Sequence, residues 1–203
     1  LVGSEMCIRD RYITDELRDI VLSAGDGSAI TIGRCDTNKN PAAAVPVCQN
    51  LKMPLKIYAM MSNTNPKEVS YFNERLNKCS DVLRLNHSRS DMLSDLAKSS
   101  IYISTVPHES AGITALEALS SGVPVMLLTT SNSHASLMFA QANSAFMRCM
   151  SRKTMDKAWI DRMLNLSIQD RQDIRNHVWK YNSDDSVVSS LVKELNTMQP
   201  VYI

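Results

Sequence analysis

Aromatic residues are scarce in this chain: Phe, Trp and Tyr together make up 5 % of its 203 residues. Hydrophobic residues still reach 44 %, so a core is expected, largely aliphatic, with the twelve Met residues filling its irregular gaps. No two of Cys7, Cys35, Cys48, Cys79 and Cys149 stand at CxxC spacing, and their number is odd. A disulfide framework and a structural zinc site are therefore not expected, and a reducing compartment, the cytoplasm, is. No apolar run approaches the length of a membrane span, and the N-terminus shows no signal-peptide core. Charge of one sign is missing too. Twenty-two basic against 21 acidic residues leave a net charge of +1, which speaks against a broad nucleic-acid footprint but leaves room for a local basic pocket around a phosphate.

The opening Leu1 to Arg11, LVGSEMCIRDR, has no initiator Met and resembles a translated sequencing adapter. It is set apart from the fold reasoning, and the chain is then expected to be a fragment whose missing part lies upstream. Residues 1–27 form an N-terminal segment in this reading, 28–150 the main folded unit, and 151–203 a set of closing helices that pack on it.

From Ser28 onward, short apolar runs alternate with helical patterns. The runs are Ala29 to Ile32, Leu55 to Met60, Val82 to Leu85, Ser100 to Ser104, Val123 to Leu128 and Ser144 to Met147, and each reads as a buried parallel strand. Between them the pattern predicts helices over Pro41 to Leu51, Pro66 to Cys79, Asp91 to Lys98, Thr114 to Ser120 and Ala135 to Ala142. Asn40-Pro41 and Asn65-Pro66 put a capping side chain before a first-turn proline, Ser90 would cap the third helix, and Gly122 with Pro124 ends the fourth as a C-terminal glycine does. Pro46 predicts that the first helix is short or breaks near Ala44 and Val45. Beyond Arg148, Thr154 to Leu164, Ile168 to Tyr181 and Asp185 to Asn196 read as helices, with a cap at Ser167-x-x-Asp170. The sum is an α/β fold, a Rossmann-like doubly wound parallel sheet with C-terminal helices.

In such a sheet ligands bind where strands end and helices begin. After the fourth strand, Gly112 stands at a loop-to-helix junction, and the amides of Gly112, Ile113 and Thr114 would face outward as an anion site suited to a diphosphate. Thr114 adds a hydroxyl. Glu109 lies in the loop beside the same place, and Glu117, about one turn into the helix, can accept two hydroxyl hydrogen bonds of the kind a ribose offers. After the first strand, Arg34 and Lys39 share one loop, where a forked guanidinium and a point-charge ammonium can converge on a diphosphate.

These residues carry a family resemblance. The stretch ESAGITALEALSSGVPV, with Glu109 and Glu117 eight apart and Gly112, Leu116, Ala118, Gly122, Pro124 and Val125 in register, resembles the paired-glutamate motif of retaining GT-B glycosyltransferases of the group 1, glycosyltransferase-4-like type. The loop Ile32 to Asn40, with Gly33, Arg34 and Lys39, resembles the same family's G-R-x-x-x-x-K loop. The resemblance covers roughly residues 28 to 150. It implies the C-terminal, donor-binding half of a GT-B fold and sugar transfer, with retention and without a metal, from a nucleotide-diphosphate sugar. That donor is a substrate; no cofactor is implied. Glu109 would be the catalytic residue, contacting the donor sugar and steadying developing positive charge. Gly33, Arg34, Lys39, Ser110, Gly112, Ile113, Thr114 and Glu117 would bind the donor, with Glu117 on the ribose. The acceptor would sit on an upstream domain, which would also carry any peripheral membrane association, so this polypeptide is expected to bind donor weakly and turn over little alone.

Three places depart from the family text: Ala111 replaces its usual aromatic, Asn86 stands at its glycine after the third strand, and Thr129 to Ser133 replaces its Gly-Gly turn. They motivate an alternative, a degenerate nucleotide-sugar-binding module; a sugar-nucleotide epimerase of the same fold is another. A general dinucleotide-binding module is disfavoured, because no GxGxxG follows the first strand. His108 beside Glu109 has no HExxH and no second His at ligand spacing, so a metal is not expected there. His87 and His134 read as ordinary loop or helix residues, Trp159 and Trp179 as packing of the terminal helices, and the basic residues from Arg148 to Lys157 as a solvated face.

Overall fold

A computed structural model of the chain describes residues 15–36, 39–60, 66–76, 82–85, 88–106, 112–128, 145–151 and 155–182. Six strands, β1 (Ala29–Arg34), β2 (Leu55–Met60), β3 (Val82–Leu85), β4 (Ile101–Ser104), β5 (Val125–Leu128) and β6 (Met147–Met150), form one sheet in the order β3-β2-β1-β4-β5-β6. All pairings are parallel. The described helices are α1 (Val45–Leu51), α2 (Pro66–Leu76), α3 (Arg89–Lys98), α4 (Ile113–Ser120), α5 (Lys157–Leu164) and α6 (Ile168–Asn182). This is the doubly wound α/β sheet that the alternating pattern predicts.

Successive side chains of a strand point to opposite faces, and here both faces are covered. Ala29, Ile57, Ile103, Met126 and Met150 meet Val47 of α1, Phe72 of α2 and Trp159, Ile160 and Met163 of α5 in one core. Their neighbours Ile30, Tyr58, Tyr102, Leu127 and Met147 meet Leu93 and Leu96 of α3, Leu116 and Leu119 of α4, and Ile174 and Val178 of α6 in the other. Met53, Met126, Met147, Met150 and Met163 are all buried, the gap-filling role expected where aromatics are few. Trp159 is buried among them. Trp179 packs against the second core with the Arg18 guanidinium 4.9 Å from its ring centroid.

Several element boundaries differ from expectation, each for a local reason. Pro41–Ala44 is a 3-10 turn, and α1 starts afresh at Val45 with Pro46 in its first turn, where a missing N–H removes no helical bond. Asn40 sits in the left-handed region (φ 31°, ψ 62°) and its side chain makes no capping bond. Helix α3 begins at Arg89, not Asp91, because Ser88 is the cap: its Oγ accepts the Asp91 N–H at 3.2 Å. Ile113 opens α4 behind Gly112. Strand β6 lies three residues later than the apolar run suggests, with Met147 opposite Val125 and Met150 opposite Leu128; the run is blurred by exposed Arg148, which pairs with Asp156 at 2.5 Å. Asp156 in turn caps α5, accepting the Trp159 N–H at 3.0 Å, so that helix starts at Lys157. The predicted helices over 135–142 and 185–196 lie outside the described residues.

Helix α4 ends in a Schellman motif: the Val123 N–H reaches the Ala118 carbonyl and the Gly122 N–H the Leu119 carbonyl, both at 2.9 Å, with Gly122 at φ 69°. A Cβ at Gly122 would stand 2.7 Å from the Arg171 carbonyl oxygen, so the glycine also admits α6 to close contact. Arg171 itself is 1 % exposed. Its Nη1 donates to the carbonyls of Ser23 and Ala97, each at 2.8 Å, and its Nη2 donates to that of Ser99. One turn on, Arg175 donates to the carbonyls of Leu17, Arg18 and Ile20 at 2.5, 2.6 and 2.8 Å. Two arginines of α6 thus fasten residues 17–23 and the end of α3 to the sheet's second face.

Replacing Arg171 with Met fills similar space but leaves three carbonyls without their donor. It should lower unfolding stability by about 3 kcal/mol, read as a lower urea midpoint at unchanged m-value. A second expectation concerns acid. Asp26 accepts the Ser28 N–H at 2.9 Å and the Lys56 ammonium at 2.5 Å. Burial raises its pKa, but Lys56 and the bonds from Ser28 outweigh this, and the net shift is downward. Its stabilising effect is therefore full above the unfolded aspartate pKa of about 4 and is lost as pH falls through the lower folded value. The stability gap between the wild-type chain and Asp26→Asn should stay constant from pH 7 to about pH 5 and shrink below about pH 4.

Candidate functional site

Strand β1 pairs with β2 along its full length, Ala29 with Leu55 through Arg34 with Met60, but with β4 only at Ala29–Ile101 and Ile30–Tyr102. Its carboxyl half is therefore open on the β4 side. A cavity of about 420 Å³ lies there, and Gly33, Arg34, Lys39 and Thr114 all line it, together with Arg89. Its size falls within the range of small-molecule sites. A larger cavity of about 620 Å³ lies between residues 16–23 and α3, and of these site residues only Arg89 borders both. The smaller is the candidate site, because it gathers the basic residues at the strand ends.

Asp36 builds the loop after β1. Its Oδ1 accepts the Lys39 N–H at 2.7 Å, its Oδ2 pairs with Arg34 Nε at 3.1 Å, and its carbonyl accepts the Asn40 N–H at 2.8 Å. This side-chain turn folds the chain back so that Lys39 lies beside Gly33, where a Cβ would stand 3.3 Å from that of Lys39. The Lys39 carbonyl accepts the Thr105 hydroxyl at 2.5 Å, which ties the loop to the end of β4. The Arg34 side chain is 55 % exposed, so its guanidinium is accessible from solvent.

Across the cavity, α4 begins. Gly112 takes the left-handed conformation (φ 56°, ψ 36°) as its N-cap, and the Leu116 N–H closes the first turn onto the Gly112 carbonyl. A helix start leaves its first amides without helical partners, and the positive end of the dipole adds to the charge of Arg34 and Lys39. Ile113 is exposed, while Thr114 lines the cavity. Glu117, one turn in, is 7 % exposed and accepts from Arg89 Nη2 at 2.7 Å. Arg89 Nε also donates to Glu16 at 2.5 Å. Partial burial pulls the pKa of the Arg89 guanidinium down, but Glu117 and Glu16 outweigh it and the net shift is upward.

Of the expected site residues, Gly33, Arg34, Lys39 and Thr114 line one cavity, Gly112 and Ile113 stand at the head of α4, and Glu117 follows within that helix. Glu109 and Ser110, with His108, Asn86, His87 and Thr129 to His134, lie outside the described residues. Sequence reasoning missed Asp36, Arg89 and Glu16. The signal for Arg89 was Ser88-x-x-Asp91, a capping pattern that starts α3 two residues earlier than Ser90 does. The described cysteines are free; burial, and at Cys35 also the Asp36 charge, pushes the Cys35 and Cys149 thiols up, away from nucleophilic use at neutral pH. No group of three metal-ligating side chains occurs among the described residues, and none of the described helices is long and apolar enough to cross a membrane.

Replacing Asp36 with Ala should remove the clasp on Lys39. Stability should fall by about 1 kcal/mol, and the Lys39 amide should lose hydrogen-exchange protection while the amides of β1 keep theirs.

No family model matches the sequence, and no curated protein does. Solved structures match the fold. AviGT4, a glycosyltransferase involved in avilamycin A biosynthesis, superposes with a TM-score of 0.65 at 14 % identity, over 93 % of this chain and 54 % of that one. TarM from S. aureus, determined in complex with UDP and alpha-GlcNAc-glycerol, gives 0.61 at 12 % identity, over 92 % and 38 %. A trehalose-6-phosphate synthase studied for glycosyltransfer with retention gives 0.59 at 13 % identity, over 97 % and 50 %. The chain spans about half the length of these proteins or less, and what it shares with them is the Rossmann-like α/β fold found in GT-B glycosyltransferases.

Proposed function

We propose that this chain is the donor-binding half of a glycosyltransferase, which moves a sugar from a nucleotide-diphosphate sugar to an acceptor with retention of configuration. The observation that carries this reading is the 420 Å³ cavity where Arg34 and Lys39 meet the start of α4. Two cations and a row of helix-start amides suit a diphosphate. Glu117, the next carboxylate along α4, suits the ribose hydroxyls of the same nucleotide.

In this mechanism the bond between the sugar's anomeric carbon and the diphosphate oxygen breaks, the acceptor's nucleophilic atom bonds to that carbon and yields its proton to the leaving diphosphate, and negative charge gathers on the diphosphate as it departs. Arg34, Lys39 and the amides from Gly112 to Thr114 stabilise that charge in place, without a metal ion. Glu109, by its family resemblance, faces the sugar and steadies the positive charge at the anomeric carbon, with Ser110 beside it. Two of the similar proteins support the reading: TarM was determined with UDP, and the trehalose-6-phosphate synthase was studied for glycosyltransfer with retention. The acceptor belongs to an upstream domain, through which any peripheral membrane association would also run, and the cytoplasm supplies the donor.

Calorimetry with uridine, guanosine and adenosine diphosphates tests the reading. One of the three should bind the chain weakly, with a dissociation constant of about 0.1–1 mM. Arg34→Ala should weaken it about tenfold or more, while sugar transfer by this chain alone should be near zero. Binding of none of the three, or binding unchanged in Arg34→Ala and Glu117→Gln, sinks the proposal.

A further inference from the structure

The residue that borders both cavities is Arg89, and its guanidinium spans two carboxylates. Nη2 donates to Glu117 at 2.7 Å and Nε to Glu16 at 2.5 Å. Glu117 is 7 % exposed, and a buried carboxylate needs partners. A carboxylate offers about four lone-pair sites on its two oxygens. Arg89 takes one, on Oε1, and the remaining lone-pair sites on the two oxygens match in number what a vicinal diol donates.

An arginine alone at a cavity edge would lose much side-chain freedom on holding one geometry. The bond to Glu16, within the 3-10 turn Asp15–Leu17, supplies the second anchor. That turn is in turn held by α6, because Arg175 donates to the Leu17 carbonyl. The orientation of the Glu117 carboxylate therefore depends on a chain of contacts reaching back to the N-terminal segment.

We propose that Arg89 is a positioning residue for the donor ribose: anchored by Glu16, it holds the Glu117 carboxylate in the orientation that accepts the two ribose hydroxyls. This rests on the donor-site reading above. Arg89 acts through Glu117, so its contribution exists only when the ligand has a 2′,3′-diol. Lys cannot span both carboxylates with a rigid fork, so Arg89→Lys restores little of the effect.

The test compares uridine, guanosine and adenosine diphosphates with their 2′,3′-dideoxy counterparts on the 203-residue chain, with thermal melts as a fold control. Glu117→Gln should weaken the binding ribonucleotide and leave the dideoxy form unchanged. Arg89→Gln should do the same, weakening the ribonucleotide about tenfold and the dideoxy form less than about twofold. Glu16→Ala should act in the same direction by about threefold, and carries the test if Arg89→Gln does not fold. Equal losses on both ligands would show Arg89 touching phosphate or base and overturn the proposal. Tighter ribonucleotide binding in Arg89→Gln would show it competing for Glu117, and overturns it too. If Glu117→Gln is diol-selective and the Arg89 and Glu16 variants are not, this inference alone fails. If Glu117→Gln changes nothing, or no ribonucleotide binds, the ribose assignment fails and takes this inference with it.

Discussion

Everything at the candidate site follows from the reversal of strand order at β1. The chain lays β2 and β3 on one side of β1 and then β4, β5 and β6 on the other. The segments leaving β1 and β4 must therefore part company, and a crevice opens between them at their carboxyl ends. The short β1–β4 ladder sharpens this: only Ala29 and Ile30 have partners in β4, so Ile32, Gly33 and Arg34 face a gap rather than a neighbouring strand. Arg34 and Lys39 reach it from one side and the start of α4 from the other. The hydroxyl of Thr105 on the Lys39 carbonyl bridges the two sides at their base.

The periodic elements were legible because two-sided burial demands unbroken apolar runs. VPVMLL and LKIYAM hold few polar residues because helices cover both faces of their strands. Gly122 was legible for a similar reason, since only a residue at ease with positive φ ends α4 there. Where a strand carries a solvent-facing charge, as β6 does at Arg148, the apolar run points to the wrong residues. Where two serines flank the start of a helix, as Ser88 and Ser90 do, composition does not choose between them; the hydrogen bond from the Asp91 amide does.

Within the site, residues that share one loop or one helix were legible as a group: Gly33, Arg34 and Lys39, and Gly112, Ile113, Thr114 and Glu117. Asp36 escaped notice because its role is internal to the loop, folding the backbone rather than meeting a ligand. Arg89 and Glu16 escaped because their partners are far away in sequence. Arg89 reaches Glu117 across 28 positions and Glu16 across 73. Spacing rules built on helical turns or strand alternation hold no information at that range, and an ion-paired arginine at the start of a helix looks in sequence like any solvated charge.

The carbonyl clasps of Arg171 and Arg175 have a consequence for the order in which the molecule can assemble. Arg171 reaches back 148 positions to Ser23, and Arg175 reaches 158 positions to Leu17. During synthesis, residues 17–23 and the end of α3 leave the ribosome long before their donors exist. The β3-β2-β1-β4-β5 portion of the sheet can form by then, with the groove for α6 vacant on one face and apolar surface around Leu116 and Leu119 uncovered. Only when α6 emerges is that face sealed, at the entropic cost of closing a long loop. The nascent domain thus passes through a stage with its sheet built and one flank bare, the stage at which it is most exposed to aggregation.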